Sequence, residues 1–210
     1  MKKIIDWLEH RTGIKSKIRK QFSYPVPPFA NFWFCFGGLA FLCIAIQFLT
    51  GFFMLFYYSP NPAEAQDSIK ILCNEAYMGG LIRNLHRWSS TFVLFFLFIH
   101  TVNVITRRAY QSPRELNWWS GILLYLIVFI AVITGIILPW DWRSYWELVI
   151  WTDWIGTIPA MGEEQKAWFL DMFSLKKSFA VHIWLIPILL TVLLRFHFKM
   201  VKKLGVKEPL

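Results

Sequence analysis

Arg83-Asn84-Leu85-His86-Arg87-Trp88 opens a run in which nearly every residue up to His100, and on to Ile105, is Phe, Leu, Val, Ile, Ser or Thr. An apolar run of this length is that of a bilayer-crossing helix, so both histidines lie inside the membrane. An ionisable side chain at that depth is costly and marks a functional site. The two are 14 residues apart, about 21 Å along a helix and about 40° apart in azimuth. One helix face therefore carries two imidazoles, one near each membrane surface. His182 and His197, 15 apart in another apolar run, repeat the arrangement.

Working outward, the whole chain fits that setting. Of its 210 residues 56% are hydrophobic and 19% aromatic, too apolar for a soluble domain of this size. Twelve tryptophans and 20 phenylalanines suit interfacial belts and large flat apolar surfaces. The net charge of +9 could suggest nucleic acid in a soluble protein, but the basic residues gather at segment ends, which points to membrane sidedness. Cys35, Cys43 and Cys73 have no zinc-type spacing. No cleavable leader is expected, because the first 20 residues are charged and no short apolar core follows.

The expected architecture is an all-α membrane protein with two parts. Residues 1–30 form a basic amphipathic surface helix, interrupted at Pro25, Pro27 and Pro28. Residues 31–210 form a four-helix transmembrane bundle with spans at about 31–58, 81–106, 118–138 and 178–200. A polar loop with Glu64, Asp67 and Glu75 joins the first two spans, and a Trp-rich interfacial segment, 140–177, of short helices joins the last two. Lys and Arg gather at the N-terminus, in the second-to-third loop and at the C-terminus, three places that four spans put on one side. By the positive-inside rule that side is cytoplasmic, with both termini on it.

His100 and His197 then share the cytoplasmic level, and His86 and His182 the opposite one. Two helices with two imidazoles each, paired as His86 with His182 and His100 with His197, match the axial ligands of two stacked b haems. Gly37 and Gly51 in the first span, and Gly121 and Gly135 in the third, are again 14 apart. Gly37 and Gly121 fall at the level of His100 and His197, and Gly51 and Gly135 at that of His86 and His182. A missing side chain at each level gives clearance for a flat macrocycle, whereas Gly38 is as readily a helix-packing glycine. Arg83, one turn before His86, is a candidate partner for haem propionates, as is Arg87, which could instead snorkel to the surface.

With Tyr57-Tyr58, Ser112-Pro113-Arg114-Glu115-Leu116 and Leu138-Pro139-Trp140-Asp141 added to the histidine pattern, the chain resembles the cytochrome b family. It is closest in form to the short b6 type that stops after four spans. The resemblance runs from about residue 30 to the end. It implies a subunit of a quinol:cytochrome c or plastocyanin oxidoreductase that moves electrons across the membrane, coupled to proton translocation. It also implies a subunit-IV-like partner with a Pro-Glu-Trp-Tyr motif, which this chain lacks, a Rieske iron–sulfur protein, a c-type cytochrome and a dimeric complex. Pro139, Trp140, Asp141 and Gly162 would wall the quinol-oxidising pocket, which this chain cannot complete alone. Cys35, in a Cys-Phe-Gly-Gly context, would bind a covalent c-type haem beside the site of quinone reduction. Asn103 stands where the family often has Arg, which leaves Arg107, Arg114 or Lys202 for the cytoplasmic-side propionates. Lys177 likewise replaces an Arg. The expected location is an energy-transducing membrane, a bacterial plasma membrane ahead of a thylakoid.

Other readings explain less. A diheme anchor of a dehydrogenase or hydrogenase would also use four helical histidines, but gives no reason for Leu138-Pro139-Trp140-Asp141 or Cys35. A b6-like subunit recruited to another respiratory complex remains compatible with the residues. A non-redox scaffold leaves the buried histidines without purpose.

Overall fold

The computed structural model describes residues 2–23, 27–158 and 162–208, and among these the regular structure is helical. The basic leader is two helices, α1 (Lys2–Thr12) and α2 (Ile14–Phe22). Gly13 separates them with φ 60°, a left-handed conformation that glycine adopts without a Cβ clash. Glu9 at the end of α1 accepts the amides of Lys15 and Ser16 at 2.6 and 3.1 Å, satisfying two of the donors that open α2. Ile4, Ile5, Trp7, Ile14 and Ile18 stay exposed, as suits helices that lie in a membrane surface. Of the three expected helix-breaking prolines, Pro27 and Pro28 stand in non-helical chain, and Pro25 lies outside the described residues.

A 3-10 turn, Phe32–Phe34, leads into α3 (Phe36–Met54). The span ends four residues earlier than expected, and its exit is tied down where the Tyr58 hydroxyl donates to Leu138 O at 2.6 Å. The expected polar loop with Glu64, Asp67 and Glu75 is instead largely a helix, α4 (Ala65–Glu75). Ala65, Ser68, Ile69 and Leu72 recur at helical spacing and are buried, while the acidic residues face outward. The composition of the stretch hid that short stripe. Gly79 opens α5 (Gly79–Thr106) against α4, and a Cβ there would fall 1.8 Å from Leu72 O, so only glycine fits this approach.

The third span is α6 (Glu115–Ile137). The Trp-rich segment folds as expected into short helices, α7 (Trp142–Gly156) and α8 (Glu163–Met172), joined by a Lys166–Asp153 ion pair of 2.7 Å. The last span begins as α9 (Leu175–Ala180), passes through a π-helical stretch, Val181–Leu185, and continues as α10 (Ile186–Leu204). Pro187 has no N–H to offer the preceding turn, and the Ile186 amide bonds to Val181 O across the wider turn. Four helical stretches, Phe32–Met54, Gly79–Thr106, Glu115–Ile137 and Leu175–Leu204, are long and apolar enough to cross a membrane.

The bundle is two antiparallel pairs, α3 on α5 and α6 on α10. All four spans contribute to one buried cluster: Ala40, Cys43 and Ile44, then Val93, then Leu124 and Val128, then Ile186 and Leu190. Each lies in sequence between the two glycines or two histidines of its span. The tightest packing therefore sits midway and holds the two histidine levels apart. Polar groups cross at the same depth range: the Gln47 amide donates to His86 O and, at 2.7 Å, to Ser89 Oγ.

Candidate metal centre

Each helix pair brings a glycine against a histidine at two levels. A Cβ on Gly51 would lie 3.2 Å from His86 Cε1, and one on Gly37 3.0 Å from both Cε1 and Nδ1 of His100. In the other pair a Cβ on Gly135 would lie 2.9 Å from His182 Cε1, and one on Gly121 3.4 Å from His197 Cε1. The register expected from the 14-residue spacings thus holds, with one refinement: the glycines border the imidazoles themselves. Across the pairs, the ring centres of His86 and His182 are 6.3 Å apart at an interplanar angle of 62°. Two imidazole–metal bonds of about 2 Å on opposite sides of one ion separate the ring centres by roughly 6 Å. At the other level His100 borders α3 at Gly37 and His197 borders α6 at Gly121.

Among the described residues no cluster of three or more His, Cys, Asp or Glu could hold a bare ion. Two opposed imidazoles instead suit an ion whose in-plane donors come from a macrocycle.

The hydroxyls that complete this environment carried no signal in the histidine pattern. Thr50 Oγ1 lies 2.8 Å from His86 Nδ1, Thr134 Oγ1 3.0 Å from His182 Nδ1, and Ser120 Oγ 2.9 Å from His197 Nδ1. Each directly precedes the glycine that its histidine faces, so the pairs Thr50-Gly51, Ser120-Gly121 and Thr134-Gly135 were the readable trace.

Cations flank both levels. Arg83 Nη1 is 3.9 Å from Cys73 Sγ, and Arg83 lines a cavity of about 220 Å³ with Cys73, Pro139 and Asp141. Trp140, at φ 49°, and Gly162, which precedes α8, do not line this cavity, and Arg87 is exposed. At the other end Arg107 Nε donates to Asn103 Oδ1 at 2.7 Å, its guanidinium lies over the Phe34 ring, and Arg114 Nη2 donates to Leu204 O at 3.0 Å. Arg107 Nη1 and Arg114 Nε are buried and have no partner among the described residues. Buried cationic donors left open in this way suit an anionic group such as a carboxylate. Lys202 is exposed in the last turn of α10. Cys35 is exposed just before α3, whereas Cys43 is buried in the core.

Asp141 caps α7, accepting the Ser144 amide at 2.9 Å. Partial burial pushes its carboxyl pKa up, but the Ser144 amide and hydroxyl and the facing Arg83 outweigh this and hold it below the usual carboxylate range. A depressed folded-state pKa stabilises the fold at neutral pH, and the contribution is lost as pH falls through that value. Asp141→Ala is expected to cost about 1 kcal/mol. Thermal melts at neutral pH should show the loss, and melts in acid should show a smaller one; an equal loss at both pH values would contradict the assignment.

The family model described as Cytochrome b/b6/petB matches residues 21–205. Cytochrome b6 of Desmonostoc sp. is 35% identical over 215 residues, and cytochrome b6 of Synechococcus elongatus is 34% identical over the same length, each with full coverage of both chains. Cytochrome b6 of Auxenochlorella protothecoides is 35% identical, again end to end. A solved structure described as a hyperthermophilic respiratory Complex III superposes with a TM-score of 0.85 at 28% identity, over 98% of this chain. This chain spans 56% of the length of that one. With the family pattern covering nearly the whole chain and the four histidines standing in two facing levels, the chain belongs to the cytochrome b/b6 family.

Proposed function

We propose that this chain carries electrons through an energy-transducing membrane on two b-type haems, as the haem-bearing subunit of a quinol:cytochrome c (or plastocyanin) oxidoreductase. His86 and His182 would hold one haem iron, and His100 and His197 the other. The observation that carries this reading is the two-level register, in which every one of the four imidazoles meets a glycine of the neighbouring span. When bound, each haem supplies a reversible one-electron site. The chain's own part is to present Nε2 of each imidazole, to leave a gap at each glycine, and to keep the two levels apart with the apolar cluster between them. Arg83 at one level, and Arg107 and Arg114 at the other, would neutralise propionates, which the open donors of Arg107 and Arg114 support.

Around this core, Pro139 and Asp141 would form this chain's share of the quinol pocket at the His86 level, with Trp140 and Gly162 nearby. The rest would come from a subunit-IV-like partner bearing Pro-Glu-Trp-Tyr. A Rieske protein and a c-type cytochrome would receive electrons, in a dimeric complex of a bacterial plasma membrane with both termini cytoplasmic. Cys35 would bind a third haem through a thioether, a role that its exposure at the start of α3 permits.

The test is haem stoichiometry in the purified complex. Two extractable b haems per chain, with a third retained on this polypeptide in a haem-stained denaturing gel, is the expected result. Cys35→Ser should abolish the retained haem and leave the other two. A wild-type chain with no retained haem removes the Cys35 assignment, and one with fewer than two extractable haems removes the two-level reading.

A further inference from the structure

The four imidazoles are not held alike. Thr50 Oγ1 donates its own hydrogen to Ile46 O at 2.6 Å, Thr134 Oγ1 to Ile130 O at 2.8 Å, and Ser120 Oγ to Asn117 O at 2.8 Å. With the hydroxyl hydrogen committed to its own helix, what each oxygen offers the neighbouring ring nitrogen is a lone pair, so that nitrogen must donate. The contacting nitrogen is Nδ1 in all three cases. Nδ1 therefore carries the proton, and the Nε2 lone pair is free to bind a metal.

His100 has no such arrangement. Phe36, buried, occupies the position before Gly37 where the other three sites have a hydroxyl. Among the described residues no hydroxyl lies on His100 Nδ1.

We infer that Thr50, Thr134 and Ser120 are positioning residues that set the tautomer and the donor strength of three axial imidazoles, leaving His100 as the one ligand not tuned this way. The inference rests on the haem reading above. A ring whose Nδ1–H is held by an oxygen is a more basic ligand at Nε2, and a more basic ligand favours ferric iron. Losing the acceptor therefore raises the midpoint potential of the iron that the ring binds. The His86/His182 haem is clamped on both sides and the His100/His197 haem on one only, so substitutions of these hydroxyls act unequally on the two.

The test is a redox titration of the purified complex, followed in the b-haem absorbance. A wild type without two b haems would overturn the haem reading and this inference with it, whereas the variants test this inference alone. Thr50→Val and Thr134→Val should each raise the midpoint of one and the same haem, and their combination should raise it further. Ser120→Ala should raise only the other. Thr50→Ser should restore the wild-type value, because it returns the hydroxyl without the methyl. Unchanged midpoints in all three variants, with both haems retained, would overturn the inference. Should a variant lose its haem, Thr50→Ser, Thr134→Ser and Ser120→Thr decide: recovery supports orientation by the hydroxyl, and continued loss refutes it.

Discussion

His100→Ala is expected to halve the b-haem content of the purified protein, removing one haem and sparing the one between His86 and His182. Alanine offers the iron no ligand, and among the described residues His197 is the only other histidine at that level. The remaining one, His10, belongs to α1 in the basic leader. The two levels are separated by the buried cluster of Ala40, Cys43, Val93 and Leu124, so the loss should not spread to the second haem. A pyridine-haemochrome assay reads the stoichiometry, and a redox difference spectrum identifies the survivor. Full b-haem content in His100→Ala would refute the ligand assignment.

Gly135→Val should remove the other haem, the one held by His86 and His182. Even a single added carbon would sit 2.9 Å from His182 Cε1, closer than carbon contacts allow. The ring cannot swing aside without losing the 3.0 Å contact between its Nδ1 and Thr134 on the same turn as the glycine. Alanine substitutions should rank by the same distances. Gly135→Ala would be the most harmful, followed by Gly37→Ala at 3.0 Å and Gly51→Ala at 3.2 Å, with Gly121→Ala at 3.4 Å the mildest. Gly38→Ala is the control, since nothing lies within 4 Å of a Cβ there, and it should retain both haems. Haem retention that ignores this order would mean that the glycines serve helix packing in general.

These expectations could be written largely before the fold because a long apolar helix is a rigid ruler. Fourteen residues always return to nearly the same face, so His86 and His100, and likewise Gly51 and Gly37, had to share one face and lie one above the other. The limits of reading sequence show where a contact decided the structure. The acidic stretch before Gly79 reads as loop by composition, yet α4 forms because Ala65, Ile69 and Leu72 find α5 to pack on. The π-helical turn at His182 follows from Pro187, five residues ahead, a break that the apolar run masked.

The sequence by itself determined the four spans, the two histidine levels and the glycine register, since these depend only on helical periodicity and on the cost of placing polar groups in lipid. Only the tertiary structure decided what each imidazole's second nitrogen touches. It also showed that Arg83 and Asp141 line one cavity, that Arg107 and Arg114 keep open buried donors, and that the Asn103 amide donates to Trp33 O. These are contacts between residues 36 to 90 positions apart, made by short-range directional bonds, and no local pattern encodes which side chain arrives first.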